Sequence, residues 1–195
     1  MQGLAFEELL KTNLLPGTSK LSFRVEDYFE GVYNHIHFRS CRVETGDSSV
    51  PLFQGQIMIF EGFHTFKKSK SYIQIFSKKE SDKMKGQTLP IKVQTENENF
   101  NNQFSVFTQE EHNAFYVLTP KVIEDIMEFT KTINSSVYIV FLDNHMYIGC
   151  KQMQNPFNAV VDLPIEEQGE NIIMTANLIQ KARDILIQIE SQLSN

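Results

Sequence analysis

The segment 137–142, Val-Tyr-Ile-Val-Phe-Leu, constrains the fold of this chain more than any other stretch. A nearly continuous apolar run offers no polar face to water, so the strand it forms has to be covered on both sides, in the middle of a sheet. Asp143-Asn144-His145 follow, and Asp and Asn accept left-handed backbone at low cost, so the chain turns and returns as a partner strand from Met146 to Cys150. Upstream, Thr119-Pro120 starts a helix. The threonine caps it, and proline is tolerated at the first helical position because its missing N–H would be unpaired anyway. Leu118 and Ile123 stand at the two positions of a hydrophobic staple, and Val122, Ile126, Phe129 and Ile133 recur at helical spacing on one face.

The remaining elements are read from weaker patterns. Residues 4–11 carry the stripe of a short helix (Leu4, Phe6, Leu9, Leu10), which Pro16-Gly17 terminates. An extended piece at 21–25 and a turn at 27–31 lead into a long strand, 32–44, with Val32, Ile36 and Phe38 on one face and His35, His37, Arg39 and Cys41 on the other. Strands are predicted at 54–63, 72–78 and 91–95, and an Asn-rich loop at 97–103. A hairpin follows, with strands 104–108 and 115–118 joined by the acidic turn 109–113. A long helix closes the chain at about 171–193. Successive strands joined by short turns imply an α+β fold with a largely antiparallel sheet, an inserted helix (about 120–133) and the C-terminal helix. The expected organisation is a single domain over 1–195, with an N-terminal helix and turn at 1–15 and the helix 171–193 packed on it.

Composition narrows the functional classes. The 195 residues are 41% hydrophobic and 22% charged, enough to bury one core, and the net charge of −6 disfavours general binding to nucleic acid, which calls for excess Lys and Arg. Two cysteines, Cys41 and Cys150, form neither a disulfide framework nor a paired metal motif. A reducing, cytoplasmic location is the expectation. No secretory signal pattern opens the sequence, and no run approaches the roughly 20 apolar residues that span a bilayer.

Four groups of residues invite a chemical reading. His35, His37 and Cys41 are zinc-ligand types on one strand face, but Cys41 lies about 13 Å beyond His37 at strand rise, too far for one ion to take all three. No metal site is therefore expected, and no phosphate-loop, nucleophile-elbow or zincin motif points to a cofactor. Glu26, Asp27 and Glu30, beside Tyr28 and Phe29, form the best acidic cluster for a hydrolase that recruits a His through the fold. Adjacent strand residues face opposite ways, so Glu26 and Asp27 need not converge. Lys67, Lys68, Lys70, Lys78, Lys79, Lys83, Lys85 and Lys92 are opposed locally only by Glu80 and Asp82, and could face anionic headgroups or protect turns and a sheet edge. Ile172, Ile179, Leu186 and Leu193 repeat every seven residues, as in a seam for self-association or a helical partner. Ile173, Leu178 and Ile185 widen that stripe toward ordinary core packing.

Several of these stretches together are similar to a known family. Ser22 to Gly31 (SFRVEDYFEG), Phe53-Gln54-Gly55, Phe66-Lys67-Lys68, Asn99-Phe100, Phe104-Ser105-Val106, Ala114 to Pro120 (AFYVLTP) and the hairpin from Phe141 to Ile148 fall in the order of a bacterial family catalogued as domain of unknown function 3137. The resemblance covers about Ser22 to Tyr147. It implies a soluble domain that follows a hydrophobic hairpin in membrane-associated proteins, a hairpin this chain lacks. Many members carry Arg before the aromatic of the Tyr-x-Leu-Thr-Pro motif, where this chain has Phe115. The family brings no established activity and no catalytic residue. The resulting expectation is a non-enzymatic binding or scaffold module of a membrane-associated bacterial protein, with the hydrolase as the alternative.

Overall fold

The computed structural model describes residues 4–17, 19–47, 50–61, 72–133, 135–151 and 165–193. Its strands are β1 (Arg24–Tyr33), β2 (Ile36–Asp47), β3 (Val50–Glu61), β4 (Ile73–Ser77), β5 (Ile91–Val93), β6 (Phe104–Thr108), β7 (Val137–Leu142) and β8 (His145–Lys151). They form one eight-stranded sheet in the order β1-β2-β3-β8-β7-β4-β6-β5, and every neighbouring pair is antiparallel. The helices are α1 (Phe6–Thr12), α2 (Lys78–Ser81), α3 (Glu98–Gln103), α4 (Glu111–Val117), α5 (Pro120–Ile133) and α6 (Ile165–Leu193). The fold is therefore α+β, with the inserted and C-terminal helices expected from the sequence.

The β7–β8 hairpin takes the centre, inserted between β3 and β4, as its apolar composition requires. Alternate residues of β7 feed two cores. Val137, Ile139 and Phe141 join Ile126, Phe129, Leu178, Ile185 and Leu186 beneath α5 and α6. Tyr138 and Val140 face the opposite side with Leu9, Leu14, Leu15, Phe53 and Met84. Thr119 Oγ1 accepts from the Val122 N–H at 3.5 Å, and both members of the Leu118–Ile123 staple are buried.

Several local expectations are corrected. The 32–44 strand is two strands: Asn34 (φ 46°) and His35 (φ 67°) both adopt left-handed backbone between β1 and β2. That is the geometry of a two-residue hairpin turn whose twist suits the flanking strands. The turn expected at 27–31 lies inside β1. Residues 98–103 are helical, because the Asn97 side chain accepts from the Phe100 N–H at 3.0 Å and caps α3. Residues 115–118 do not pair with β6: Phe115 to Val117 end α4, with Ala114 and Val117 buried and Phe115 and Tyr116 exposed. A helical stripe two residues wide resembles strand alternation over so short a stretch. The C-terminal helix begins at Ile165, earlier than its apolar spacing indicates.

One glycine holds the β2–β3 hairpin. Gly46 has φ +94°, beside the irregularity in register between β2 and β3, and a Cβ there would lie 2.7 Å from the Leu52 backbone nitrogen. Gly46→Ala is expected to destabilise the fold by about 1–3 kcal/mol, since it adds both left-handed strain and a backbone clash. Urea denaturation measures this; a change within about 0.5 kcal/mol, as for a neutral surface site, would refute it.

Candidate functional site

Strand β1 is an edge of the sheet, and an irregularity in it decides which residues share a face. Glu26 pairs with Arg42 and Phe29 with Ser40, so Asp27 and Tyr28 together oppose the single residue Cys41. This is a β-bulge, with Asp27 at φ 50° as its left-handed residue. The extra residue reverses the alternation downstream. Val25 and Tyr28 both pack toward the α1 side, whereas Phe29 packs toward the α6 side. Gly31 and Tyr33 follow Phe29, opposite Phe38 and Ile36, and Glu30 is turned the other way.

The result is a cleft of about 880 Å³ between this part of β1 and the described portion of α6. Its floor is Phe29, Gly31, Tyr33 and Phe38, and its helical wall includes Ala176 and Ile179. Phe29 and Phe38 meet edge to face with ring centroids 6.2 Å apart. A Cβ on Gly31 would come within 3.1 Å of the Phe38 ring, so the glycine is what lets this ring lie flat against the strand. Asp27, Thr175, Asn177 and Gln180 supply polar groups around an otherwise apolar surface. At one end the Arg183 guanidinium sits 4.7 Å above the Tyr33 ring, at cation–π distance.

The acidic cluster is not gathered. Glu26 faces the α6 side, Asp27 occupies the bulge, and Glu30 faces the α1 side, where it accepts from the Tyr28 hydroxyl at 2.6 Å. His35 sits in the hairpin turn, away from the face of His37 and Cys41. Cys41 and Cys150 are free and buried on opposite faces of the sheet. Burial pushes the Cys41 thiol up to about 12, and raises that of Cys150 as well, so neither is a thiolate nucleophile at neutral pH. Among the described residues, no group of three His, Cys, Asp or Glu side chains is placed to hold a metal ion.

The structure assembles a different polar group on the α1 side. Arg39 pairs with Glu8 through both terminal nitrogens, at 3.0 and 2.5 Å, and its Nε lies 3.3 Å from Glu61. Hydrogen bonding to Glu8 raises the Arg39 pKa further, against the opposing effect of burial. His37 Nδ1 is 3.3 Å and His145 Nε2 3.9 Å from the same Glu61. Only the alternation of β2 hinted at this, by putting His37 and Arg39 on one face. Their partners come from α1, β3 and β8, separations that leave no local signature. The group joins α1 to the sheet.

The lysines are divided. Lys67, Lys68 and Lys70 lie outside the described residues. Lys83 and Lys85 pair with Glu80 and Asp82 at 2.7 and 3.3 Å, Lys78 donates to the Asn101 carbonyl, and Lys92 approaches the Phe107 ring at 6.0 Å. In the seven-residue series on α6, Ile179 and Leu186 are buried in the core of this chain. The side chains of Ile172 and Leu193 lie outside the described residues. No helix among the described residues is long and apolar enough to cross a membrane.

A long antiparallel sheet with helices packed on both faces and a bulged edge strand beside a cleft defines a class of architecture, α+β. The chain belongs to the family described as "Protein of unknown function (DUF3137)", whose match spans residues 51–189. That span takes in β3 through most of α6, and leaves β1 and β2, one wall of the cleft, outside it. Searches of curated proteins and of solved structures returned no match.

Proposed function

We propose that this protein is a non-enzymatic binding module whose ligand occupies the β1–α6 cleft. One observation carries the reading: about 880 Å³ of apolar concave surface, within the range of roughly 300–1,000 Å³ typical of small-molecule sites. Support comes also from Tyr33, which lines the cleft and remains 39% exposed, a state in which an apolar side chain gains from a covering ligand. The length fits an elongate molecule, since the six residue steps of β1 from Asp27 to Tyr33 cover about 20 Å at strand rise. The hydrolase alternative draws no support from Glu26, Asp27 and Glu30, which the bulge separates.

Ala176 provides the test. It is exposed and lines the helical wall, so a larger side chain there fills the cleft without disturbing the core. Nile red, a neutral apolar dye, is expected to bind the wild type, and Ala176→Trp to weaken that binding by about tenfold or more, the equivalent of roughly 1.4 kcal/mol. Fluorescence titration reads the change, with circular dichroism to confirm that the variant is folded. Unaltered dye binding by a folded variant would remove the cleft as the site.

A further inference from the structure

We propose that the ligand of this cleft is a monovalent organic cation with an apolar tail, its ammonium head lodged beside Asp27 and the aromatic corner of Phe29 and Phe38; the inference rests on the cleft reading above. Of the described residues that line the cleft, Asp27 alone carries a charge, while Thr175, Asn177 and Gln180 are neutral. A molecule lying along the whole cleft covers this carboxylate, and covering an ionised group without a counter-charge is costly. An anion adds repulsion to that cost. A neutral molecule leaves it in place, and a cation offsets it.

The aromatic residues suit the same sign of charge. The Phe29 and Phe38 rings stand at 79° to each other, with centroids 6.2 Å apart, so the pair makes a corner of two ring walls. Ring faces carry the negative part of the aromatic quadrupole, which is how aromatic cages hold quaternary ammonium groups. Phe29 is two residues from Asp27 along β1, about 7 Å at strand rise. That lies inside the screening length of about 8 Å at physiological salt, so ring and carboxylate act on one head group. At the other end of the cleft the Arg183 guanidinium rests on Tyr33 and is ion-paired with Asp184, which leaves that end without net charge. The positive head therefore belongs at the Asp27 end, and the tail runs toward Gly31 and Ile179, which also line the cleft. The net charge of −6 on the whole chain draws the same kind of ligand toward the protein.

The discriminating experiment titrates the full chain calorimetrically with decyltrimethylammonium, decanol and decanoate, each kept below its aggregation limit. Wild type is expected to bind the cation about fivefold or more tighter than the alcohol, and the carboxylate most weakly. Asp27→Asn keeps the size of the side chain and a residue type that tolerates the left-handed backbone at φ 50°. It is expected to weaken the cation about threefold or more and to leave decanol within about twofold of wild type. If the wild type binds alcohol or carboxylate as tightly as the cation, the inference is overturned, and this comparison needs no folded variant to be read. Unchanged cation affinity in Asp27→Asn also overturns it. So does cation binding that survives Ala176→Trp, since it then reflects adsorption to the acidic surface. If none of the three compounds binds while Nile red still responds to Ala176→Trp, the cation is wrong and the cleft stands. If Nile red is also insensitive to that variant, both fall together.

Discussion

Replacing Glu80 with alanine is expected to lower the stability of this fold by about 3–5 kcal/mol, the range seen when one member of a buried charged network is removed. Glu80 is 5% exposed and gathers donors from three parts of the chain. It accepts from the Tyr138 hydroxyl at 2.9 Å, the Ser136 hydroxyl at 2.9 Å and the Lys83 ammonium at 2.7 Å, with Lys151 at 3.9 Å. Burial by itself would raise the Glu80 carboxyl. The hydrogen bonds from Lys83, Ser136 and Tyr138 and the charge on Lys151 outweigh it and hold the group below its usual value. Burial, then the Glu80 carboxylate beside it, push the Tyr138 phenol well above the ordinary range, so it stays a donor. Taking the carboxylate away strands the buried Tyr138 and Ser136 hydroxyls at the end of the central strand, each of which has to find water or distort.

The pH dependence has a definite sign. A carboxyl whose folded pKa lies below its unfolded value contributes stability that is fully present above that unfolded value, 4.5, and is lost as pH falls through the folded one. Urea denaturation of the wild type should therefore show a fall in stability below pH 4.5. Glu80→Gln, which keeps the shape and drops the titration, should show a shallower fall over the same interval. Equal slopes would mean that other carboxylates carry the acid sensitivity. A loss below about 1 kcal/mol for Glu80→Ala would mean that the network is dispensable.

The second large effect is expected at Phe129. This residue is 1% exposed on the inner face of α5, in the core shared with Leu178, Ala182 and Ile185 of α6. Phe129→Ala removes a buried ring and leaves a cavity that two packed helices and a sheet collapse into only partly. The expected cost is about 3–5 kcal/mol. Because α6 also walls the cleft, Nile red binding should weaken in the same variant under conditions where it stays folded. A stability loss with unchanged dye binding would show that α6 holds its position over β1 without this contact.

The interior of the fold was legible because its signals are local. Thr119-Pro120 starts α5 through one hydroxyl and one missing N–H, and Asp143 turns the β7–β8 hairpin at φ 53°. Both lie within a few residues of the feature they control. The weaker assignments failed where two periodicities agree over a short window. Phe115 to Val117 suit a strand or the last turn of a helix, and burial of Ala114 and Val117 on one side decided for the helix. Asn97 to Gln103 read as polar loop because its one apolar anchor, Phe100, is the only residue of α3 that reaches the core.

The cleft was not legible, for two reasons. A single inserted residue in β1 reverses which side chains face α6, and nothing in Val-Glu-Asp-Tyr-Phe-Glu-Gly announces the bulge. Strict alternation would put Glu26, Tyr28 and Glu30 together; the bulge instead brings Phe29, Gly31 and Tyr33 to the cleft. The polar pairing of Arg39 with Glu8 and Glu61 likewise joins residues whose meeting depends on the sheet order.

By itself the sequence determined the elements whose causes are adjacent residues: the buried central hairpin, the capped amphipathic helix before it, and the α+β class that short connections between strands impose. Tertiary structure alone decided that the β7–β8 hairpin enters between β3 and β4, which side of β1 meets α6, and that Arg183 comes to rest on Tyr33. These outcomes depend on the register of an edge strand and on how a distant helix crosses it. Register is set by packing across the whole sheet, so the surface that carries the proposed site emerges only once every strand is in place.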